Sequence, residues 1–196
     1  MHKKALIFDL NGVFVISPKL SERIESDFSV PLDIFLPVLK VVMDHVRQPG
    51  AKDVFYYWQP YFQKWGIKFT KDEFAKYCFS AEKPDEELVN LARRLKAKGL
   101  KLFVLSNNFR GRTEYYSNNF AFLDEVFDKV YYSWQTGFAK PDTRAWRNIL
   151  DENNLKAEDC MYFDDSEKNV EAAESIGIES HIFNEDVVKM LESLVE

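Results

Sequence analysis

Ala5-Leu6-Ile7-Phe8-Asp9-Leu10-Asn11-Gly12 decides the fold: four consecutive apolar residues, an aspartate, and a short polar turn closed by glycine. A strand that alternates apolar and polar residues has one wet face, whereas an unbroken apolar run fits a strand covered on both faces, as in a parallel sheet flanked by crossover helices. Further along the chain, residues 101–106, 129–133, 161–164 and 179–183 are similar short segments rich in Val, Ile, Leu, Phe and Tyr. Amphipathic helices lie between them. In the clearest, over 85–98, Leu88, Leu91, Ala92 and Leu95 share a face, Pro84 stands at the entry and Gly99 at the stop. The alternation predicts an α/β domain with a doubly wound five-stranded parallel sheet, over residues 1–14 and 84–196.

Residues 15–83 break the rhythm. They hold no convincing strand and four helix-like stretches, 19–28, 32–46, 52–65 and 71–80, punctuated by Pro31, Gln48-Pro49-Gly50 and Gly66. Thr70 with Glu73 three residues on has the spacing of a capping box. The aromatic run from Val54 to Phe62 reads as the core of this helical cap, with one or two rings left for a ligand. Because the insertion follows the first strand, it leaves from the carboxyl edge of the sheet, where open α/β folds bind ligands, and a lid is expected.

The 196 residues are 46% apolar, 15% aromatic and 30% charged, a globular composition that excludes disorder. No apolar stretch reaches the roughly 20 residues a membrane helix requires, and the run after Met1-His2-Lys3-Lys4 is too short for a secretory signal, so a cytoplasmic protein without membrane association is expected. The formal net charge of −6 leaves no sequence-wide basic field for nucleic acid. Cys78 and Cys160 are expected as reduced thiols rather than a disulfide or metal ligands. The histidines at 2, 45 and 181 have no partner spacing.

Four polar clusters stand at the strand ends: Asp9-Leu10-Asn11-Gly12, Ser106-Asn107-Asn108, Lys140-Pro141-Asp142 and Asp164-Asp165-Ser166. A doubly wound sheet brings such ends together. A carboxylate nucleophile needs a nearby cation to hold an anionic substrate, because two anions 4 Å apart repel by about 4 kcal/mol at an effective dielectric near 20. Lys140 and a Mg²⁺ ion on Asp9, Asp165 and one backbone carbonyl would supply it.

In order, these clusters, in the settings Phe8-Asp9-Leu10-Asn11-Gly12-Val13, Leu105-Ser106-Asn107-Asn108, Gly137-Phe138-Ala139-Lys140-Pro141-Asp142 and Phe163-Asp164-Asp165-Ser166-Glu167-Lys168-Asn169, resemble the four motifs of the haloacid dehalogenase-like (HAD) hydrolase superfamily. The subgroup most similar contains sugar-phosphate phosphatases and the phosphatase domain of epoxide hydrolases. The resemblance implies that Asp9 attacks phosphorus to form an aspartyl-phosphate and that Ser106 holds a phosphoryl oxygen. It implies that Lys140 neutralises the nucleophile and the transferring group, with Asn107 beside the substrate. It places Mg²⁺ on Asp9, the Asn11 carbonyl and Asp165, with Asp164 reaching it directly or through water. The implied partner is a small phosphorylated metabolite, and the chain is expected as a monomer or homodimer.

One position departs from the pattern. Most phosphatases of the family have a second aspartate where this chain has Asn11. An amide can orient a leaving group but cannot give it a proton, and general acid–base catalysis is worth ~10²- to 10⁴-fold. A slow phosphatase is therefore expected. The alternatives are a weakly active pseudophosphatase and a 2-haloacid dehalogenase, the latter opposed by the Asp164-Asp165 pair, which repels a carboxylate substrate. Arg110 and Arg112 read as solvated residues at a helix start, with clamping of a substrate anion as the other reading.

Overall fold

The structure, a computed structural model, describes residues 3–195; Met1, His2 and Glu196 lie outside the described residues. It opens with β1 (Ala5–Phe8) and a two-residue β2 (Val15–Ile16), followed by α1 (Leu20–Phe28), α2 (Leu32–Val46), α3 (Val54–Trp65) and α4 (Lys71–Phe79). A second short strand, β3 (Lys83–Pro84), leads into α5 (Glu86–Ala97), β4 (Lys101–Ser106), α6 (Arg110–Asn119), α7 (Phe122–Val126) and β5 (Lys129–Tyr132). After α8 (Ser133–Thr136) and α9 (Arg144–Asn153) come β6 (Cys160–Asp164), α10 (Glu167–Glu174), β7 (Glu179–Ile182) and α11 (Glu185–Ser193).

The five long strands form one sheet in the order β5-β4-β1-β6-β7, parallel throughout. The chain runs from β1 outward through β4 and β5, then crosses back to β6 and β7 on the other side. The winding therefore reverses at β1, and the crevice beyond its carboxyl end is where such folds place ligands. All four β1 residues are buried. Their period of two divides them between two apolar layers: Leu6 and Phe8 join Leu88, Leu91 and Leu95 of α5, while Ala5 and Ile7 join Trp146 and Ile149 of α9. Each such side chain contributes ~1.5–3 kcal/mol on burial, which fixes the register of the central strand.

Helices α1 to α4 have an apolar core of their own. Trp58, fully buried, stacks between Phe35 at 5.1 Å and Phe62 at 5.5 Å, so most of the aromatic run is packing. Phe109, between β4 and α6, belongs to the same cluster and ties the helices to the sheet. Thr70 and Glu73 close their capping box, with the Glu73 amide donating to Thr70 Oγ1 at 3.3 Å and the Thr70 amide to Glu73 Oε2 at 2.8 Å. Element ends shift by a residue or two, because Asp53 and Asp85 cap α3 and α5 from outside the helices. One expectation is corrected. Residues 15–83 do contain strand: Val15 and Ile16 pair antiparallel with Pro84 and Lys83 at the neck of the insertion. A two-residue ladder is too short to show a period in sequence.

Candidate active site

Asp9 leaves β1 at its carboxyl end, tied to the neighbouring strand by its amide donating to the Phe163 carbonyl at 2.8 Å. Gly12 turns the chain immediately after, at φ +91°, a conformation that favours glycine. Space imposes a second requirement there. A Cβ on Gly12 would lie 2.5 Å from Asp165 Oδ2, so the glycine lets the Asp165 carboxylate approach the nucleophile loop.

Lys140 arrives on the loop before α9. Its Nζ lies 2.8 Å from Asp9 Oδ1 and 2.5 Å from Asp164 Oδ2, with the lysine side chain only 2% exposed. Asn107 fixes that loop from both sides: its side-chain amide donates to the Lys140 carbonyl at 2.7 Å and accepts from the Lys140 amide at 2.8 Å. Asn107, expected beside the substrate, thus also positions the loop that carries Lys140. Asp164 accepts hydrogen bonds from the Tyr162 hydroxyl, the Ser166 amide and the Asn169 side chain as well as Lys140. Its burial opposes ionisation, yet Lys140 and these donors hold its carboxyl below the ordinary range. Ser106, at the end of β4, is buried beside β1.

Asp9 and Asp165 shift the other way. Burial pushes the Asp9 carboxyl up, Lys140 opposing and Asp164 adding to it, and burial with the charges of Asp9 and Asp164 raises Asp165. Oxygens of these three carboxylates lie within 4.8 Å of one another. One ammonium against three crowded carboxylates leaves negative charge that a hard divalent cation offsets, and the donor set is all oxygen, as Mg²⁺ prefers. Asp9, Asp165 and the Asn11 carbonyl, which accepts none of the loop's backbone hydrogen bonds, are the residues fitted to hold it. Asp164, whose oxygens accept from Lys140, Tyr162, Ser166 and Asn169, orients Lys140 and stands within reach of the same ion.

A family match spans residues 3–177 under the description haloacid dehalogenase-like hydrolase. The chain belongs to this family. HAD-like relatives include Phosphatase MT3486 of Mycobacterium tuberculosis, 32% identical over 103 residues, which are 50% of this chain and 48% of that protein. Bifunctional epoxide hydrolase 2 of Sus scrofa is 22% identical over 91% of this chain and 36% of its own length. The chain thus spans less than half of these curated relatives. Among solved structures, a HAD family enzyme from Bacteroides thetaiotaomicron superposes with a TM-score of 0.80 at 18% identity, over 94% of this chain and 95% of that one. The same enzyme has been crystallised with magnesium and inorganic phosphate. This chain is therefore a member of the haloacid dehalogenase-like hydrolase family with an α/β fold, and among its described residues no helix is long and apolar enough to cross a membrane.

Four residues near the site were not legible in sequence as partners. Asn108 accepts from the Phe109 amide at 3.0 Å, which turns its NH₂ toward Asn11 Oδ1 at 3.1 Å. Asn11 is thereby oriented to donate to the Tyr116 hydroxyl at 2.6 Å. Arg112 is not solvated: it pairs with the buried Glu82 at 2.7 Å and lies 5.6 Å from the Tyr116 ring. Arg110, by contrast, is exposed, against the Trp134 ring at 5.1 Å. Asn108, inside the second motif, and Arg112, after it, carried a sequence signal; Tyr116 and Glu82 carried none.

Proposed function

We propose that this HAD-like protein is a Mg²⁺-dependent phosphatase that hydrolyses a small phosphorylated metabolite through an aspartyl-phosphate on Asp9. The observation that carries the reading is the Lys140 ammonium bridging Asp9 and Asp164 while Asp165 stands beside them. The bridge holds Asp9 in one orientation with one carboxylate oxygen engaged, leaving the other for in-line attack on phosphorus. As the Asp9–phosphorus bond forms, the bond to the leaving oxygen breaks, and that oxygen departs with the electron pair. Water then attacks the phosphoryl group, releasing phosphate and restoring the carboxylate. Bound Mg²⁺ would supply charge neutralisation at the transferring oxygens, the main demand of phosphoryl transfer. Lys140 contributes the second positive charge, and Ser106 a hydroxyl at the end of the neighbouring strand.

On this reading Asn11 faces the departing leaving group. Its amide is held by Asn108 and Tyr116, so it can orient a leaving oxygen but not protonate it, which favours substrates with good leaving groups. The phosphatase relatives and the magnesium–phosphate complex of the Bacteroides enzyme support the assignment. The test is hydrolysis of p-nitrophenyl phosphate with and without Mg²⁺. Turnover is expected to require the metal and to vanish in Asp9→Asn; undiminished rates in excess EDTA would exclude it.

A further inference from the structure

Among the described residues, five buried side-chain nitrogen or oxygen atoms lack a hydrogen-bond partner: Arg47 Nε, Trp58 Nε1, Glu82 Oε2, Arg112 Nε and Trp146 Nε1. The first four belong to residues that line one cavity of about 270 Å³, between helices α1 to α4 and the start of α6. Buried polar groups are normally satisfied, so four in one place call for a ligand. Their kinds define it. Three are donors and one an acceptor, and Arg112 already shares its charge with Glu82. Arg47 forms no ion pair with a described carboxylate, and the nearby charges are Arg112, which repels it, and Asp44 and Asp9. Two guanidiniums around a single lining carboxylate leave the cavity cationic.

Apart from Ser17 and Lys19, the rest of the wall is largely apolar, including Leu39, Met43, Phe74 and Phe79. The reaction-centre residues do not line this cavity, but Tyr116 and Arg112 link it to them. Asn11, two residues from the nucleophile, bonds Tyr116, and Arg112 reaches into the cavity from beside that tyrosine ring. The Asp9 charge acts on Arg47 only weakly, behind burial, Arg112 and Asp44. A substrate with its phosphoryl group at Asp9 would extend its leaving group toward this space.

We infer that Arg47 and Arg112 bind a second anionic group on the substrate, so that the preferred phosphomonoesters carry a carboxylate or second phosphate on a small apolar body. This rests on the phosphatase reading for the chemistry, but the recognition is testable without turnover. Arginine suits the role because its planar fork binds carboxylate and phosphate in the same bidentate way.

The experiment compares phenyl phosphate, 3-carboxyphenyl phosphate and 3-phosphonophenyl phosphate by kcat/KM, and phenylphosphonate with 3-carboxyphenylphosphonate by calorimetric binding. Wild-type protein is expected to favour the doubly anionic member by about tenfold or more, the size of one charge-assisted bond. Which of the two anions gains more identifies the group. Arg47→Met is expected to erase most of that ratio, Arg47→Lys to keep part of it, and Glu82→Gln, which releases Arg112 from its partner, to raise it. If Arg47→Met does not fold, the wild-type ratio and Glu82→Gln still decide. Equal handling of singly and doubly anionic ligands by the wild type, or ratios unmoved by these substitutions, overturns the inference. A binding preference without hydrolysis of any ester upholds the anion site and rejects the phosphatase reading instead.

Discussion

Asn11 is held in one orientation by an ordered series of donors: the Phe109 amide sets Asn108, Asn108 sets Asn11, and Asn11 donates to Tyr116. If the amide stands where a proton donor would act, its cost falls on substrates whose leaving oxygen is basic. We expect Asn11→Asp to raise kcat/KM for alkyl phosphates at least about tenfold more than for p-nitrophenyl phosphate, a modest part of the ~10²- to 10⁴-fold that acid–base catalysis provides. A leaving-group series with saturating Mg²⁺ measures this, since changes in kcat/KM report the transition state. An equal change for every substrate would show that position 11 does not act through protonation. The thiols offer a second check at this scale. Burial pushes Cys78 up to about 12 and Cys160 up to about 11, so at pH 8 neither carries appreciable thiolate. Native protein is expected to react slowly with Ellman's reagent, and unfolded protein rapidly at both positions.

At the scale of elements, the helical insertion depends on two devices of different size. The capping box at Thr70 satisfies amides at the start of α4, and Thr70→Ala is expected to cost ~0.5–2 kcal/mol by urea unfolding. Trp58 is another matter, because it is fully buried between two rings and in contact with a third aromatic, Phe74. Trp58→Ala is expected to cost ~3–5 kcal/mol and to remove one wall of the Arg47 cavity. Tyr57 and Tyr61 stand elsewhere on α3, in a shallow surface depression with His45 and Tyr56. Substituting them is expected to leave substrate preference unchanged in the same phosphate-ester comparison.

For the molecule as a whole, the crowded carboxylates couple the site to global stability. Asp9, Asp164 and Asp165 come from two strands that neighbour each other, and their repulsion is carried by the central sheet. A cation that binds only the folded state stabilises it by mass action, ~2.7 kcal/mol at a hundredfold excess over Kd. For a chain of this length that is a rise in Tm of about 5–10 °C. Calorimetric scans with Mg²⁺ and with EDTA measure it. The rise is expected to disappear in Asp165→Asn, and an equal rise in that variant would place the ion elsewhere.

The parallel sheet and the four strand-end clusters were legible in the sequence because their signals are local. An apolar run such as residues 5–8 states its own burial, and Asp9-Leu10-Asn11-Gly12 states the turn that follows. Thr70 and Glu73 likewise meet within one turn of helix. What the sequence could not determine was every pairing between distant elements. Arg112 looked like a solvated residue at a helix start until Glu82 came within 2.7 Å, and the two hydrogen bonds by which Asn107 holds the Lys140 loop span 33 residues that no local pattern links. Arg47, at the end of α2, acquired its meaning only when the fold placed it on a common cavity with Arg112 and within the field of Asp9. Burial strips water from such groups and makes their partners decisive, and which partners they meet is set by tertiary packing alone.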